Sequence, residues 1–324
     1  MKAFVHETLI RASLFLGSWP IRFFAWWIAT GYFFFLPSRR RSSIRLYQVI
    51  FPEKSRWYYL CCTWRQFHSY AATFAERIEF DRNKGLTTST QGRENLVEVA
   101  RRGGGGVILM SHLGSFEIAA GAFREVKLKL LLIMGEKEAK QVARDQREAM
   151  KARGIHIQVA TTGEDFLFGG VEAVKFIKEG GFVSVAGDLV WTEQRSRLPV
   201  TLFGHEVGLT AGPHLLALVS NAPLFTMFTF RSERGKYLII MSPPRDVKAT
   251  SRSERSAALH ASAQAYANAL EEMVRQHPFQ WYIFEPFFEP ISADMRKLNP
   301  SFSASNPGKD LGRQNFLLDG MGGK

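Results

Sequence analysis

The sequence predicts an α/β fold, in which a single sandwich domain has a central mixed, mostly parallel sheet flanked by helices, and a membrane-anchoring helix precedes it. Two observations predict this fold. Short apolar runs typical of buried strands alternate along the chain with longer segments of helical period. An aromatic stretch near the N-terminus is followed by a cluster of arginines, as in helices that lie in or on a bilayer. We divide the chain into a membrane-associated segment at 1–45, a folded domain at 46–290 and a disordered tail at 291–324.

The first element is the aromatic stretch at 23–36, which has no charged residue and precedes Arg39, Arg40 and Arg41. Its 14 residues fall short of the roughly 20 that span a bilayer. We therefore predict an interfacial or shallowly inserted helix, with the arginines facing anionic lipid on the cytoplasmic side. A buried core helix is the alternative. A cleaved signal peptide is disfavoured, because the apolar stretch begins late and no small-residue cleavage site follows it.

The following elements are predicted from hydrophobic period. A helical pattern covers 44–80, and Ser, Asn, Gly and Lys without any period dominate the tail. Strands are predicted at 107–110, 130–134, 156–160, 182–186, 223–230 and 237–241. Helices are predicted between and after them at 136–153, 169–179, 211–220 and 252–276.

The composition points to an anionic partner. The chain of 324 residues is 46% hydrophobic and carries 42 basic against 30 acidic residues, a formal charge of +12. Nucleic acid, phospholipid headgroups and an acidic carrier protein would each suit that charge. Nucleic acid is the least supported of them, since no zinc finger and no RNA-binding aromatic signature occurs. The only cysteines, Cys61 and Cys62, are adjacent, which excludes a disulfide framework and favours a reducing compartment.

The strongest candidate for chemistry is His112 with Glu117, directly after the apolar run at 107–110. A histidine held by a carboxylate can take a proton from a hydroxyl or an amine, while the carboxylate fixes the imidazole tautomer. Gly114 would let the backbone bend so that the two side chains meet. The alternative is that His112 caps a helix and Glu117 complements its positive end. The H-E-x-x-H spacing of zinc enzymes is absent, and we predict no metal.

A second polar cluster follows the predicted strand at 182–186. Asp188, Arg195 and Arg197 could hold a substrate phosphate or the phosphopantetheine of a thioester donor, with arginine giving bidentate recognition. A solvated loop with a local ion pair is the alternative. Lys137 is a further candidate for phosphate contact, although its surroundings also fit an ordinary charged helix face.

Taken in order, these motifs resemble the lysophospholipid acyltransferase superfamily, most closely its branch of late acyltransferases of lipid A biosynthesis. The resemblance covers most of residues 10–290. It rests on the H-x4-E block at 111–117, Ala-Gly-Asp at 186–188 with arginines at 195–197, Phe-Gly-His at 203–205, Gly-Pro at 212–213, Ala-Pro-Leu at 222–224 and Gln-Trp-Tyr at 280–282.

This resemblance implies transfer of a fatty acyl group from an acyl carrier protein or coenzyme A thioester to a hydroxyl or an amine of a lipid-like acceptor. His112 would be the general base and Glu117 its orienting acid, with no bound cofactor. The protein would work at the cytoplasmic face of the bacterial inner membrane, and 46–290 would be the acyltransferase domain. Two alternatives remain: a lipid hydrolase or thioesterase that activates water, and a non-catalytic membrane-bound protein that binds lipid or carrier protein.

Overall fold

The computed structural model describes residues 19–80, 86–115, 118–119, 128–135, 155–159, 164–188 and 197–288. All of them belong to one compact unit, Met1–Pro290. The predicted helix at 136–153 and the predicted tail at 291–324 lie outside the described residues.

Three helices open the described chain: α1 (Trp19–Phe35), α2 (Pro37–Ile50) and α3 (Arg56–Phe80). The prediction of continuous helical period over 44–80 is wrong at 51–55, where α2 ends and α3 has not begun. Pro52 gives the reason, because the residue before a proline is pushed out of the helical region and helices end there. Glu53 then takes a positive φ of 68°, within the turn that precedes α3.

Helix α1 packs against α3 through aromatic side chains. Trp26 and Phe33 meet Trp64 edge-on, with ring centroids 6.1 and 5.1 Å apart. Thr30 Oγ1 lies 3.1 Å from His68 Nε2 across the same contact. Along 19–80 and the other described segments, no helix combines the length and the apolar character needed to cross a membrane.

The rest of α1 faces outward and is strongly apolar. Ile21 and Ala29 are buried on the inner side of the helix. The exposed large side chains on this helix are Trp19, Phe23, Phe24, Trp27, Ile28, Tyr32, Phe34 and Phe35, together with Trp26, which is partly exposed although it also contacts Trp64. Large exposed apolar patches are uncommon on soluble monomeric proteins.

Seven described strands form one sheet: β1 (Thr87–Gln91), β2 (Gly106–Met110), β3 (Leu130–Met134), β4 (Ile155–Val159), β5 (Phe182–Ala186), β8 (Leu224–Glu233) and β9 (Lys236–Met241). Their order in the sheet is β1-β9-β8-β2-β5-β3-β4. Neighbours run parallel except β8 and β9, which are antiparallel. The prediction of a mixed, mostly parallel sheet is confirmed. Strand β1 was not predicted, since its sequence Thr-Thr-Ser-Thr-Gln has no apolar residue.

Helices cover both faces of this sheet. They are α4 (Arg93–Arg101), α5 (Glu164–Lys178), α6 (Gly212–Ser220) and α7 (Arg252–Gln276), followed by a 3₁₀ turn at Pro278–Gln280. Every residue of β2 is buried, with Val107 in one apolar cluster and Ile108 in the other. The first cluster includes Tyr266 of α7 and the second includes Leu96 of α4. Burial on both faces explains why β2 is a continuous apolar run.

A separate antiparallel hairpin, β6 (Arg197–Leu202) and β7 (His205–Thr210), was also not predicted. Its two-residue turn is Phe203-Gly204, with φ angles of 52° and 76°. Positive φ at both positions matches the twist of the strands it joins. The side chain of Gln264 on α7 pairs with the backbone of Thr201 at 2.8 Å in both directions, which fixes the hairpin to that helix.

Candidate active site

Two neighbouring strands bring His112 and Asp188 together. Strands β2 and β5 pair in parallel, and their last residues, Met110 and Ala186, are partners in the register. His112 and Asp188 each follow by two residues. The carboxyl ends of adjacent parallel strands lie at the same edge of the sheet, which is where open α/β sheets bind their ligands.

The Asp188 carboxylate accepts hydrogen bonds from three donors. Its Oδ1 lies 2.8 Å from Nδ1 of His112. Its Oδ2 accepts from the backbone N–H of His112 at 2.7 Å and from Nε1 of Trp281 at 2.9 Å. Asp188 is 1% exposed, so these three donors replace the water that a carboxylate normally binds.

This contact assigns the tautomer of His112. An ionised carboxylate only accepts hydrogen bonds, so Nδ1 of His112 carries a proton and donates it to Asp188. In the neutral ring Nε2 then has the lone pair and can take up a proton. The His112 side chain is 18% exposed, whereas that of Asp188 is fully covered. The pair therefore has a fully buried acid and a partly exposed base.

Gly114 allows the chain to turn directly after His112. Its φ of 75° lies in the left-handed region, and a Cβ there would overlap the carbonyl of Thr229. The chain bends at Gly114 as predicted, whereas Glu117, which the bend was predicted to bring to His112, lies outside the described residues. Close approach to β8 also explains why only glycine fits this position.

The segment 280–282 holds the His112 turn from the other side. Leu113 and Trp281 form an antiparallel bridge. The backbone N–H of Tyr282 donates to the carbonyl of His112 at 3.0 Å, and that of Gly114 donates to the carbonyl of Gln280 at 2.8 Å. The turn is thus bonded on both sides of Leu113, and its backbone position depends on a segment far away in sequence.

Helix α3 in turn supports the segment 280–282. Gln66 Nε2 donates to the carbonyl of Trp281 at 2.6 Å. The hydroxyl of Tyr282 lies 3.0 Å from that of Ser69 and 2.9 Å from that of Thr73. Burial raises the pKa of Tyr282 to about 12, so its hydroxyl stays protonated. A polar row on α3 thereby connects the N-terminal helices to the His112 turn.

Farther along α3, the buried Glu76 forms an ion pair with the partly exposed Arg231 of β8. The guanidinium donates to both carboxylate oxygens at 2.8 to 3.0 Å, and Tyr237 adds a third donor at 2.8 Å. Bidentate pairing compensates for the burial of the Glu76 carboxylate. The pair ties α3 to the strands β8 and β9.

The other predicted site residues are placed differently. Arg197 is the first residue of β6, where its Nε is buried and has no hydrogen-bond partner among the described residues. Glu117, Lys137 and Arg195 lie outside the described residues. The structure directs the oxygens of Asp188 toward His112 and Trp281, in contrast to the predicted contact with a donor phosphate.

Two parts of this arrangement escaped sequence reasoning. Because both residues follow predicted strands, the two polar clusters were predicted to be neighbours. The direct contact of His112 with Asp188 was not predicted, since it depends on β2 pairing with β5. For Trp281, the only signal in the sequence was the Gln-Trp-Tyr block at 280–282. Within the described ranges, no cluster of three His, Cys, Asp or Glu side chains could hold a metal ion.

The sequence matches one family of known proteins over most of its length. The sequence profile of the bacterial lipid A biosynthesis acyltransferases matches residues 14–289, which include both strand ends and the segment 280–282. No curated protein matches the sequence. Members of this family transfer acyl groups to lipid-like acceptors, which favours acyl transfer over hydrolysis and over simple binding. The chain is an acyltransferase and belongs to the bacterial lipid A biosynthesis acyltransferase family.

Proposed function

We propose that this protein transfers a fatty acyl group from a thioester donor to a hydroxyl or an amine of a lipid-like acceptor, with His112 as the general base. The observation that carries the proposal is the contact between His112 Nδ1 and the buried Asp188 carboxylate. It leaves Nε2 as the basic nitrogen of the His112 ring, which is partly exposed whereas Asp188 is buried.

The chemistry follows from that protonation state. Nε2 of His112 accepts the proton of the acceptor hydroxyl as its oxygen attacks the thioester carbonyl. The new C–O bond forms, the C–S bond breaks, and the proton on His112 passes to the departing thiolate. Because the substrate supplies the nucleophile, no residue of the chain needs to be acylated.

We assign Asp188 the role of positioning the imidazole. It faces Nδ1, and its negative charge offsets the positive charge that His112 gains in the transition state. This role replaces the donor-phosphate contact predicted from the sequence. The family resemblance implies that Glu117 has this positioning role. We retain Glu117 as a second acidic group, and mutating each residue separately distinguishes its contribution from that of Asp188.

The donor is proposed to be an acyl thioester of an acyl carrier protein or of coenzyme A. Both donors are anionic, in keeping with a chain of charge +12. Arg195, Arg197 and Lys137 remain the candidates for the donor phosphate. If one of these residues contacts the phosphate, replacing it with a neutral residue would raise KM for the donor. The pH dependence of acyl transfer would stay unchanged.

We further propose that the protein works at the cytoplasmic face of the bacterial inner membrane. The exposed aromatic side of α1 supports this location, since tryptophan and tyrosine favour the headgroup layer. Arg39, Arg40 and Arg41 follow directly at the start of α2, where they would meet anionic lipid. No nucleic acid is involved in this proposal.

Mass spectrometry of lipids tests the function. Cells expressing the intact protein are compared with cells expressing His112→Ala, with equal amounts in the membrane fraction shown by immunoblot. We expect a lipid that gains one acyl chain only with the intact protein. Purified protein is then given that lipid with either acyl carrier protein or coenzyme A thioester to identify the donor.

The alternatives predict other products. A hydrolase would release free fatty acid without needing the acceptor, and a binding protein would leave all lipids unchanged in both cells. Equal acylation by the His112→Ala variant would overturn the assignment of His112 as the base.

A further inference from the structure

The indole of Trp281 is wholly buried and makes one polar contact, to the carboxylate that holds His112. Its Nε1 donates to Oδ2 of Asp188 at 2.9 Å, and the residue is 0% exposed. An indole N–H is only a donor, and it cannot change its role with pH. Here the indole provides the buried Asp188 carboxylate with a fixed hydrogen-bond donor that carries no charge.

Among the described contacts, no lysine or arginine side chain bonds to the Asp188 carboxylate alongside the Trp281 indole. The hydrogen-bond donors there are the His112 ring, the His112 backbone and the Trp281 indole. Two of the three belong to the residue that Asp188 positions. Trp281 is therefore the donor that can fix the rotation of the carboxylate independently of His112.

The backbone of Trp281 is fixed as firmly as its ring. Its carbonyl accepts from Gln66 at 2.6 Å, and it is bridged to Leu113, the residue after His112. The ring packs edge-on against Phe287 at 5.1 Å between centroids. Trp281 is therefore bonded both to the turn that carries the base, His112, and to the acid that orients it, Asp188.

From this arrangement we propose that Trp281 is a positioning residue for acyl transfer, which acts through Asp188 to set the basicity and orientation of His112. The inference rests on the proposed role of His112. The indole dipole offsets part of the carboxylate charge. Without it, more of that charge acts on the imidazole, and protonation of His112 becomes more favourable.

The test measures the titration of His112 separately from acyl transfer. Diethyl pyrocarbonate modifies neutral imidazole, so the rate of carbethoxylation of His112 against pH, followed by peptide mass spectrometry, gives its midpoint. The exposed His156 serves as the internal reference. In the full-length Trp281→Phe variant we expect the His112 midpoint to rise by roughly half a pH unit, because one hydrogen bond is lost.

Acyl transfer is measured on the same proteins. The acid limb of kcat/KM should move to higher pH together with the midpoint, while kcat falls by about tenfold and KM changes little. The matched control is Phe287→Leu, which disturbs the packing of the ring but keeps its N–H. It should lower thermal stability without moving either pH midpoint.

If Trp281→Phe does not fold, site-specific incorporation of β-(3-benzothienyl)alanine keeps the ring shape and removes only the N–H. An unmoved or lowered His112 midpoint in that folded protein, or an equal rise in Phe287→Leu, overturns the inference. The wild-type protein could transfer no acyl group while the His112 midpoint still rises in the variant. That result would support the coupling of Trp281 to His112 and reject the proposed function.

Discussion

Single residues decide the chemistry of the site, and Asp188 shows this most directly. Its carboxylate lies 2.8 Å from Nδ1 of His112 and is fully buried. A carboxylate there fixes the tautomer that leaves Nε2 basic. An amide of the same shape would keep the volume but present an N–H group or a neutral oxygen to the ring.

We therefore expect Asp188→Asn to lower kcat on the order of 10²- to 10⁴-fold with little change in KM, as measured by steady-state transfer assays. The comparison is Glu117→Gln under the same conditions. A larger loss in Asp188→Asn would support Asp188 as the orienting acid. A loss confined to Glu117→Gln, with Asp188→Asn within threefold of wild type, would return that role to Glu117.

Gly114 allows a second prediction at the residue scale. Its positive φ and its closeness to the Thr229 carbonyl both oppose a side chain. Gly114→Ala should reduce the free energy of unfolding by at least about 2 kcal/mol and lower activity, because the His112 turn must shift. Urea unfolding followed by circular dichroism measures the first effect.

The matched control for that change is Gly170→Ala. Gly170 lies in α5 with no heavy atom within 4 Å of the added methyl group. Alanine favours a helix over glycine by about 0.5 to 1 kcal/mol, so this variant should be slightly more stable than wild type. Equal stability losses at both positions would contradict the reason given for Gly114.

At the scale of elements, α1 has two opposed faces. Its inner face packs on α3 through Trp26 and Phe33. Its outer face carries Phe24, Ile28 and Phe35, which are 46%, 56% and 83% exposed. These three positions lie along one side of the helix, because residues three, four and seven apart share a face.

The triple variant Phe24→Ser, Ile28→Ser, Phe35→Ser should lose most of its binding to anionic vesicles in flotation assays. Each buried apolar side chain is worth about 1.5 to 3 kcal/mol, so the partition coefficient should fall by at least about tenfold. The control Val171→Ser, Val219→Ser removes exposed apolar groups from α5 and α6 instead. Equal binding by both variants would exclude α1 as the membrane-binding surface.

Elements were predicted best where their own residues are buried. Strands β3 and β5 and helix α7 have the predicted bounds, since each has a clear apolar run or period. Strand β1 and hairpin β6–β7 were missed. Polar edge strands and short hairpins take their shape from neighbours such as β9 and α7, and that information is not local.

At the scale of the whole molecule, buried histidine links stability to pH. His214 of α6 is 0% exposed, and its Nδ1 lies 2.8 Å from the hydroxyl of Ser262 on α7. Burial lowers the pKa of His214 to about 4. In the unfolded chain its pKa is about 6.5, so between these values the unfolded state binds more protons.

The fold should therefore lose stability as pH falls from about 6.5 to about 4, by up to about 3 kcal/mol from this residue. In His214→Gln, the slope of unfolding free energy against pH in that window should be smaller than in wild type. Chemical unfolding at several pH values measures it. The exposed His156→Gln is the control, and an equal change of slope there would refute the assignment.

The sequence alone determined the class of the fold, the basic charge and the position of His112 after a buried strand. These three properties follow from hydrophobic period and composition, which depend only on the residues within each segment. The family resemblance in the sequence also pointed to acyl transfer, and the match over 14–289 supports it.

The tertiary structure alone decided which groups meet His112. Asp188 contacts His112 directly, and Trp281 contacts Asp188 and is bridged to Leu113. They are 76 and 169 positions from His112 in the sequence, and they come together because β2 lies beside β5 and the segment 280–282 returns to the His112 turn. Hydrophobic period specifies which segments are strands but not the order in which they pair. The pairing is set by packing and hydrogen bonds across the whole domain, and the partners of the catalytic base depend on it.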